Sequence, residues 1–106
     1  MENPFKVGDV IRWQWGFPEQ DVWFYVIVKV TPKCVRLRRL AEYEHLPIPA
    51  EFADDNENGV LKRLKFYMDE TPVINMGGAH DGVKYDGPKL KECVNQPGFK
   101  YYKAYR

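Results

Sequence analysis

Serine is absent from this 106-residue chain, which excludes serine-nucleophile hydrolysis, because that chemistry needs the hydroxyl itself. Cysteine is scarce. Cys34 and Cys93 lie far apart with no Cys-x-x-Cys pair, and the only histidines are the isolated His45 and His80. Zinc needs clustered Cys or His ligands, so neither a metal nor any other cofactor is expected, and two reduced, half-buried thiols are the simplest reading. No apolar run approaches the ~20 residues that span a bilayer, so no membrane partner is expected. The opening Met1-Glu2-Asn3-Pro4 has no basic stretch ahead of an apolar one, which makes the cytoplasm the expected compartment.

What the chain does have is charge sorted by segment. Residues 1–40 carry seven Lys or Arg against four Asp or Glu, a net of +3. Residues 41–59 carry six acidic residues and no Lys or Arg, and residues 60–106 carry nine basic against five acidic. The overall +1 therefore hides an acidic insert between two basic, aromatic-rich arms. Such a field can steer binding to charged partners whatever the net charge. Length predicts one domain over 1–106, and 15 % aromatic with 44 % hydrophobic residues is far from a disordered composition.

Hydrophobic periodicity reads as strands. From Val10 to Trp15, Ile11, Trp13 and Trp15 alternate with Val10, Arg12 and Gln14. Val22 to Val30 is almost continuously apolar, rich in β-branched and aromatic residues, the mark of a central strand covered on both sides. Thr31-Pro32-Lys33-Cys34 is a tight turn, and Val35 to Leu40 returns with Arg36 and Arg38 on one face. This meander predicts that Trp13, Phe24, Val28, Val35 and Leu37 share one buried cluster. The acidic segment 41–59 holds Pro47 and Pro49, which argue against helix and central strand and predict a long loop packed over an open barrel end. Val60 to Met68 fits a strand or a short helical stripe, and its length favours the strand. Short strands follow at Pro72–Met76 and Val83–Tyr85, then a turn of helix at Lys89–Val94 and a last strand at Phe99–Tyr105. The fold class is mostly β: a small antiparallel barrel or strongly bent sheet, SH3-like or related, with a long acidic loop and at most one short helix.

A resemblance rests on Gly8-Asp9 before a strand, then Trp15-Gly16-Phe17, Gln20-Asp21, Phe24-Tyr25, Val28-Lys29-Val30-Thr31 and the Val35 to Arg39 return. Lys62-Arg63, Tyr85-Asp86-Gly87 and the late Tyr101, Tyr102 and Tyr105 extend it. In these features the chain resembles a group of small, mostly uncharacterised β proteins encoded by phages, prophages and other mobile elements. It departs from the group around Pro18-Glu19 and in an apparent insertion, Lys89 to Gly98. The resemblance implies a compact β fold and a mobile-element origin, and it transfers no catalytic residue.

Three constellations bear on function. Arg36, Arg38, Lys62 and Arg63, with Trp23 and Tyr25 on an exposed side of the second strand, combine phosphate-neutralising cations with base-stacking rings, as in barrels that bind single-stranded nucleic acid. The same residues also suit a solvated basic face around an aromatic core, and a net charge of +1 falls short of the usual footprint of nucleic-acid binders. Asp54, Asp55 and Glu57 form an acidic cluster that suits an Arg- or Lys-lined groove of a protein partner, or plain solvation. Its order is not that of an EF-hand calcium loop. A Cys–His nucleophile, Cys34 or Cys93 with His80 or His45, has nothing to mark its thiol as activated. Ala79-His80-Asp81-Gly82 suits a turn rather than a catalytic pair, and Gly77-Gly78 lacks the Gly-Lys-Ser/Thr of a phosphate loop. The reading reached is a non-catalytic binding protein of phage or mobile-element origin that contacts a host protein or nucleoprotein and inhibits a bacterial defence system. A single-stranded nucleic-acid-binding barrel and a minor Cys–His enzyme are the alternatives.

Overall fold

The computed structural model describes residues 3–16, 21–43, 46–78 and 80–86, and every regular element among them is a strand. The strands are β1 (Val10–Trp15), β2 (Asp21–Val30), β3 (Cys34–Tyr43), β4 (Leu46–Phe52), β5 (Val60–Phe66), β6 (Pro72–Asn75) and β7 (Val83–Lys84). Among the described residues no helix is long and apolar enough to cross a membrane. All pairings are antiparallel, in the order β6-β5-β3-β2-β1-β7, with β4 pairing β3 off that path. The expected helical turn at Lys89–Val94 and the strand at Phe99–Tyr105 lie outside the described residues.

The β2–β3 hairpin forms because its turn satisfies its own polar groups. The Thr31 amide donates to the Cys34 carbonyl at 3.0 Å, and the Cys34 amide donates to the Thr31 hydroxyl at 3.1 Å. The Asn3 side-chain amide caps the Thr31 and Cys34 carbonyls at 2.9 and 3.2 Å. That contact draws the N-terminal segment across the sheet and sets Phe5 into the core, where it is only 3 % exposed.

Strand alternation then divides the apolar residues between two faces. The inner face carries Ile11, Tyr25, Ile27, Val35, Leu37, Ile74 and Met76 with Phe5 in one cluster. Phe24 points the other way. It is as buried as the cluster members but stands cross-strand from Leu40 and packs on the Tyr85 ring, with centroids 5.0 Å apart. The single cluster expected from sequence is therefore corrected: Val35 and Leu37 belong to it, Phe24 does not, and Trp13 and Val28 are half-buried. Val28 leaves the core because the β2–β3 register shifts between Ile27 and Lys29. The extra residue turns Val28 and Lys29 to the outer cleft they share with Arg36 and brings Val30 back against the core.

A second correction concerns the acidic segment. Leu46–Phe52 is not loop but an edge strand on the outer half of β3, with Leu40 opposite Phe52 and Glu42 opposite Pro47. Proline is compatible with an edge because its missing N–H costs nothing on the side away from the partner. Pro47 and Ile48 are both buried, so the segment contributes packing as well as charge. Only Ala53 to Gly59 remains as the connection to β5.

Two mutual hydrogen bonds close the sheet toward a barrel. Ile74 and Gly82 exchange amide-to-carbonyl bonds of 2.8 Å each, joining β6 to the approach to β7. Residue 82 must be glycine here: a Cβ would stand 2.8 Å from Ile11 Cγ2 and 3.3 Å from Ile74 Cβ, both core atoms with no room to retreat. Gly82→Ala is expected to cost ~1–3 kcal/mol in urea melts, the range for overpacking a filled core. Gly78→Ala, whose Cβ would approach nothing among the described residues closer than a Trp13 ring carbon at 3.9 Å, is the control, expected within ~0.5 kcal/mol of the parent. Equal losses would show that the closure is not a packed contact.

Candidate functional site

Along β3, one edge serves two partners. Cys34 to Leu37 pairs with β5, and Leu40 to Tyr43 pairs with β4. Arg38 and Arg39 fall in the gap, and the start of the connection fills it. The Ala53 amide donates to the Arg39 carbonyl at 2.9 Å, and the Arg39 amide donates to Asp54 Oδ2 at 2.8 Å. Asp54 thus stands in for the missing strand. Its Oδ1 also accepts from Arg38 Nε at 3.3 Å, and its carbonyl accepts from Arg38 Nη2 at 3.3 Å. The Arg38 guanidinium lies over the Phe52 ring, 3.6 Å from the centroid. Of the three carboxylates in the expected partner-binding cluster, Asp54 is therefore a structural group, while Asp55 and Glu57 stay exposed.

Arg39 projects to the opposite face and stacks on Trp23 at 3.4 Å. Around it Trp13, Trp15 and Trp23 cluster: Trp15 meets Trp23 edge-on at 4.9 Å, and Trp13 lies 6.0 Å from Trp15 and 6.1 Å from Trp23. Three tryptophans gather because positions 13 and 15 share one face of β1 and the register sets Trp13 opposite Trp23. The Trp13 indole donates to the His80 carbonyl at 3.0 Å, whereas Trp15 Nε1 and Arg39 Nε find no acceptor among the described residues. Tyr25 completes the group but is only 8 % exposed, and burial pushes its phenol above the ordinary value despite the nearby Arg39 charge.

These placements dissolve the constellation of Arg36, Arg38, Lys62, Arg63, Trp23 and Tyr25. Arg38 is ion-paired and stacked. Tyr25 is inside, and Trp23 is covered by Arg39, so the expected exposed aromatic side of β2 is corrected. Lys62 stands opposite Val35 and opens onto the inner pocket lined by Trp13, Tyr25, Leu37, Val60 and Met76. Arg36 and Arg63 are on the outer face, Arg63 opposite Cys34. Adjacent residues on a strand point to opposite faces, which separates Lys62 from Arg63 as it separates Arg38 from Arg39. For the thiol–imidazole alternative, Cys34 sits opposite Arg63, whereas His80 lines a cleft with Arg12, Gln14 and Tyr67. The structure does not pair them, and Cys93 and His45 lie outside the described residues. Among the described residues no three His, Cys, Asp or Glu side chains group as metal ligands.

One surface was not expected from the sequence. Phe66, Tyr67 and Met68 close β5 and enter the β5–β6 turn 37 %, 43 % and 105 % exposed, and Val83, 37 % exposed, lines a cleft with Tyr67. The turn is held firmly. The Tyr67 amide donates to the Thr71 carbonyl at 3.0 Å, the Glu70 amide donates to the Tyr67 carbonyl at 2.9 Å, and Glu70 adopts φ of 69°. Hydrogen bonds from the Thr71 side chain and backbone hold the Asp69 carboxyl below its ordinary range. The Tyr67 hydroxyl donates to Asp81 at 2.8 Å, which raises its phenol above the usual value, and Lys65 reaches the same carboxylate at 3.3 Å. The alternation of Val60 to Met68 marked the strand but gave no sign that its far end would lack a covering layer.

No protein-family model matches the chain, and no curated protein and no solved structure shows significant similarity to it.

The Asp54 contacts generate a stability prediction. Asp54→Ala leaves the Arg39 amide and Arg38 Nε without their carboxylate acceptor, while Arg38 Nη2 keeps the backbone carbonyl of residue 54, and is expected to cost ~1–3 kcal/mol. Asp55→Asn and Glu57→Gln touch no such group and are expected within ~0.5 kcal/mol of the parent. Denaturant melts of the three variants check this, and three equal effects would show that Asp54 is no more structural than its neighbours.

Proposed function

We propose that the protein is a non-catalytic binding protein that docks on another protein through the tip formed by Phe66, Tyr67 and Met68. The observation that carries this reading is Met68, wholly exposed at the head of a turn whose backbone is fixed by its own hydrogen bonds. Exposing a long apolar side chain at a rigid tip gives no folding stability, whereas burying it in a partner returns the hydrophobic free energy with only the side chain, not the backbone, left to order. Methionine suits such an anchor because its flexible, polarisable thioether fits pockets of irregular shape. The flanking aromatic rings supply the contact area typical of binding hot spots. Loss of the expected basic–aromatic constellation, with Arg38 and Arg39 both committed inside the protein, makes base stacking on β2 the weaker reading.

The resemblance to small β proteins of phages and mobile elements supports a host protein or nucleoprotein as the partner. Inhibition of a bacterial defence system is the role such a contact would serve.

A photo-crosslinking residue at position 68 is expected to capture one protein from nuclease-treated host lysate. The same group at Val7, an apolar residue 65 % exposed elsewhere, is not. With the captured protein purified, Met68→Ser and Phe66→Ser are each expected to cost ~2 kcal/mol or more, roughly a thirtyfold loss of affinity. Unchanged affinity in variants that melt like the parent would reject the tip as the interface.

A further inference from the structure

The outer face of β2, β3 and β5 holds an arrangement of cations that the docking tip does not use. Lys29 stands directly opposite Arg36, and Arg63 stands opposite Cys34, two positions along β3 on the same face as Arg36. Like charges directly opposite on neighbouring strands are destabilising. Among the described residues neither Lys29, Arg36 nor Arg63 has an ion pair, whereas Arg38, Lys65 and Lys84 each have one. The bulge at Val28 turns Lys29 toward Arg36, and with Asn58 and Glu57 they frame an open polar cleft of about 430 Å³. Glu57 is the carboxylate of that cleft. It comes from the connection that Asp54 pins to β3, so it is held at the rim of the cation row without an ion pair to Lys29 or Arg36.

We infer that Lys29, Arg36 and Arg63 form a contact site for the phosphate backbone of nucleic acid, and that Glu57 screens it. Three neighbouring strands at ~4.8 Å spacing set the cations across roughly 10 Å. Successive phosphates of one strand advance about 3.4 Å along the duplex axis, so three of them fall within that span and within reach of the long Lys and Arg side chains. Among the described residues no aromatic ring lines the cleft, so the contact reads charge and spacing rather than bases. Binding is therefore sequence-independent and strongly dependent on salt. The Glu57 carboxylate repels incoming phosphate and lowers the affinity that the three cations alone would give. This inference does not depend on the docking tip, whose residues Phe66, Tyr67 and Met68 lie beyond the β2–β3 turn, past Arg63 along β5.

The test is fluorescence anisotropy of the full chain with a labelled random-sequence duplex and the corresponding single strand, from 50 to 200 mM salt. Three phosphate contacts predict slopes of log K against log salt of about −2.7 on duplex and −2.1 on single strand, a loss of about fortyfold and twentyfold over that range. The triple change Lys29→Ala, Arg36→Ala, Arg63→Ala is expected to abolish the salt-dependent binding. Lys62→Ala, on the inner face, is expected to leave it intact, and Glu57→Gln is expected to tighten it about two- to fivefold by removing a repulsion. Thermal melts by circular dichroism check that the substitutions leave the fold in place, and Lys29→Gln alone should still flatten the duplex slope by about 0.9. The inference is overturned by the absence of binding at 50 mM salt, by equal effects of Lys62→Ala and the triple change, or by weaker binding in Glu57→Gln. An unlabelled poly-glutamate peptide that displaces the duplex at lower charge concentration would equally overturn it, in favour of an acidic protein surface.

Discussion

The carboxylate of Asp54 occupies the place on the β3 edge where pairing with β5 has ended and pairing with β4 has not begun. A strand inside a sheet cannot leave an amide unpaired without losing the better part of a hydrogen bond's worth of desolvation. Here the Ala53 amide and the Asp54 carboxylate take the two roles a neighbouring strand would have taken for Arg39. The same carboxylate holds Arg38 against Phe52, so one side chain joins the edge, the outer face and the acidic connection. Gly59 completes the turn back into β5 with φ of 76°, where a Cβ would meet the Leu37 carbonyl at 2.9 Å.

From that point alternation determines the distribution of charge. With Arg38 fixed outward, Arg39 must enter the tryptophan cluster and Leu37 the core. With Leu37 opposite Val60, Lys62 opens inward and Arg63 outward. Two adjacent basic pairs in the sequence are thus each divided between faces. What looked like one cationic field becomes an internal cation over Trp23, a lysine at the barrel mouth and an outer row headed by Lys29 and Arg36. Side chains are left exposed where the fold has no further use for them: the apolar tip at Met68, and outer cations that have no ion pair among the described residues.

The strands of the meander were legible because their apolar residues carry a clear period or an unbroken β-branched run, and β1 has the bounds expected of it. β4 was hidden by its prolines. They forbid a central strand but not an edge, and only tertiary pairing with β3 shows that an edge was available. The inside and outside of β2 were not legible, since Val22 to Val30 is apolar at nearly every position and alternation alone cannot assign Phe24 and Tyr25 to faces. Both turn out to be buried, on opposite sides. The bulge at Val28 leaves no mark in composition, yet it decides which side Lys29 joins. Asp54 looked equivalent to Asp55 and Glu57 in the acidic cluster. Its distinct role depends on lying across from Arg39, a distance of 15 residues that no local pattern reports.

The account depends most on Asp54 acting as the missing strand partner of Arg39, and amide hydrogen exchange measures that contact directly. In the parent protein the Arg39 amide should be protected to the level of its neighbours in the middle of β3. In Asp54→Ala it should exchange at least about tenfold faster, the loss of one satisfied buried donor, while the core amides of β2 keep their protection. An Arg39 amide that exchanges freely in the parent, or that is equally protected in both proteins, would contradict the account.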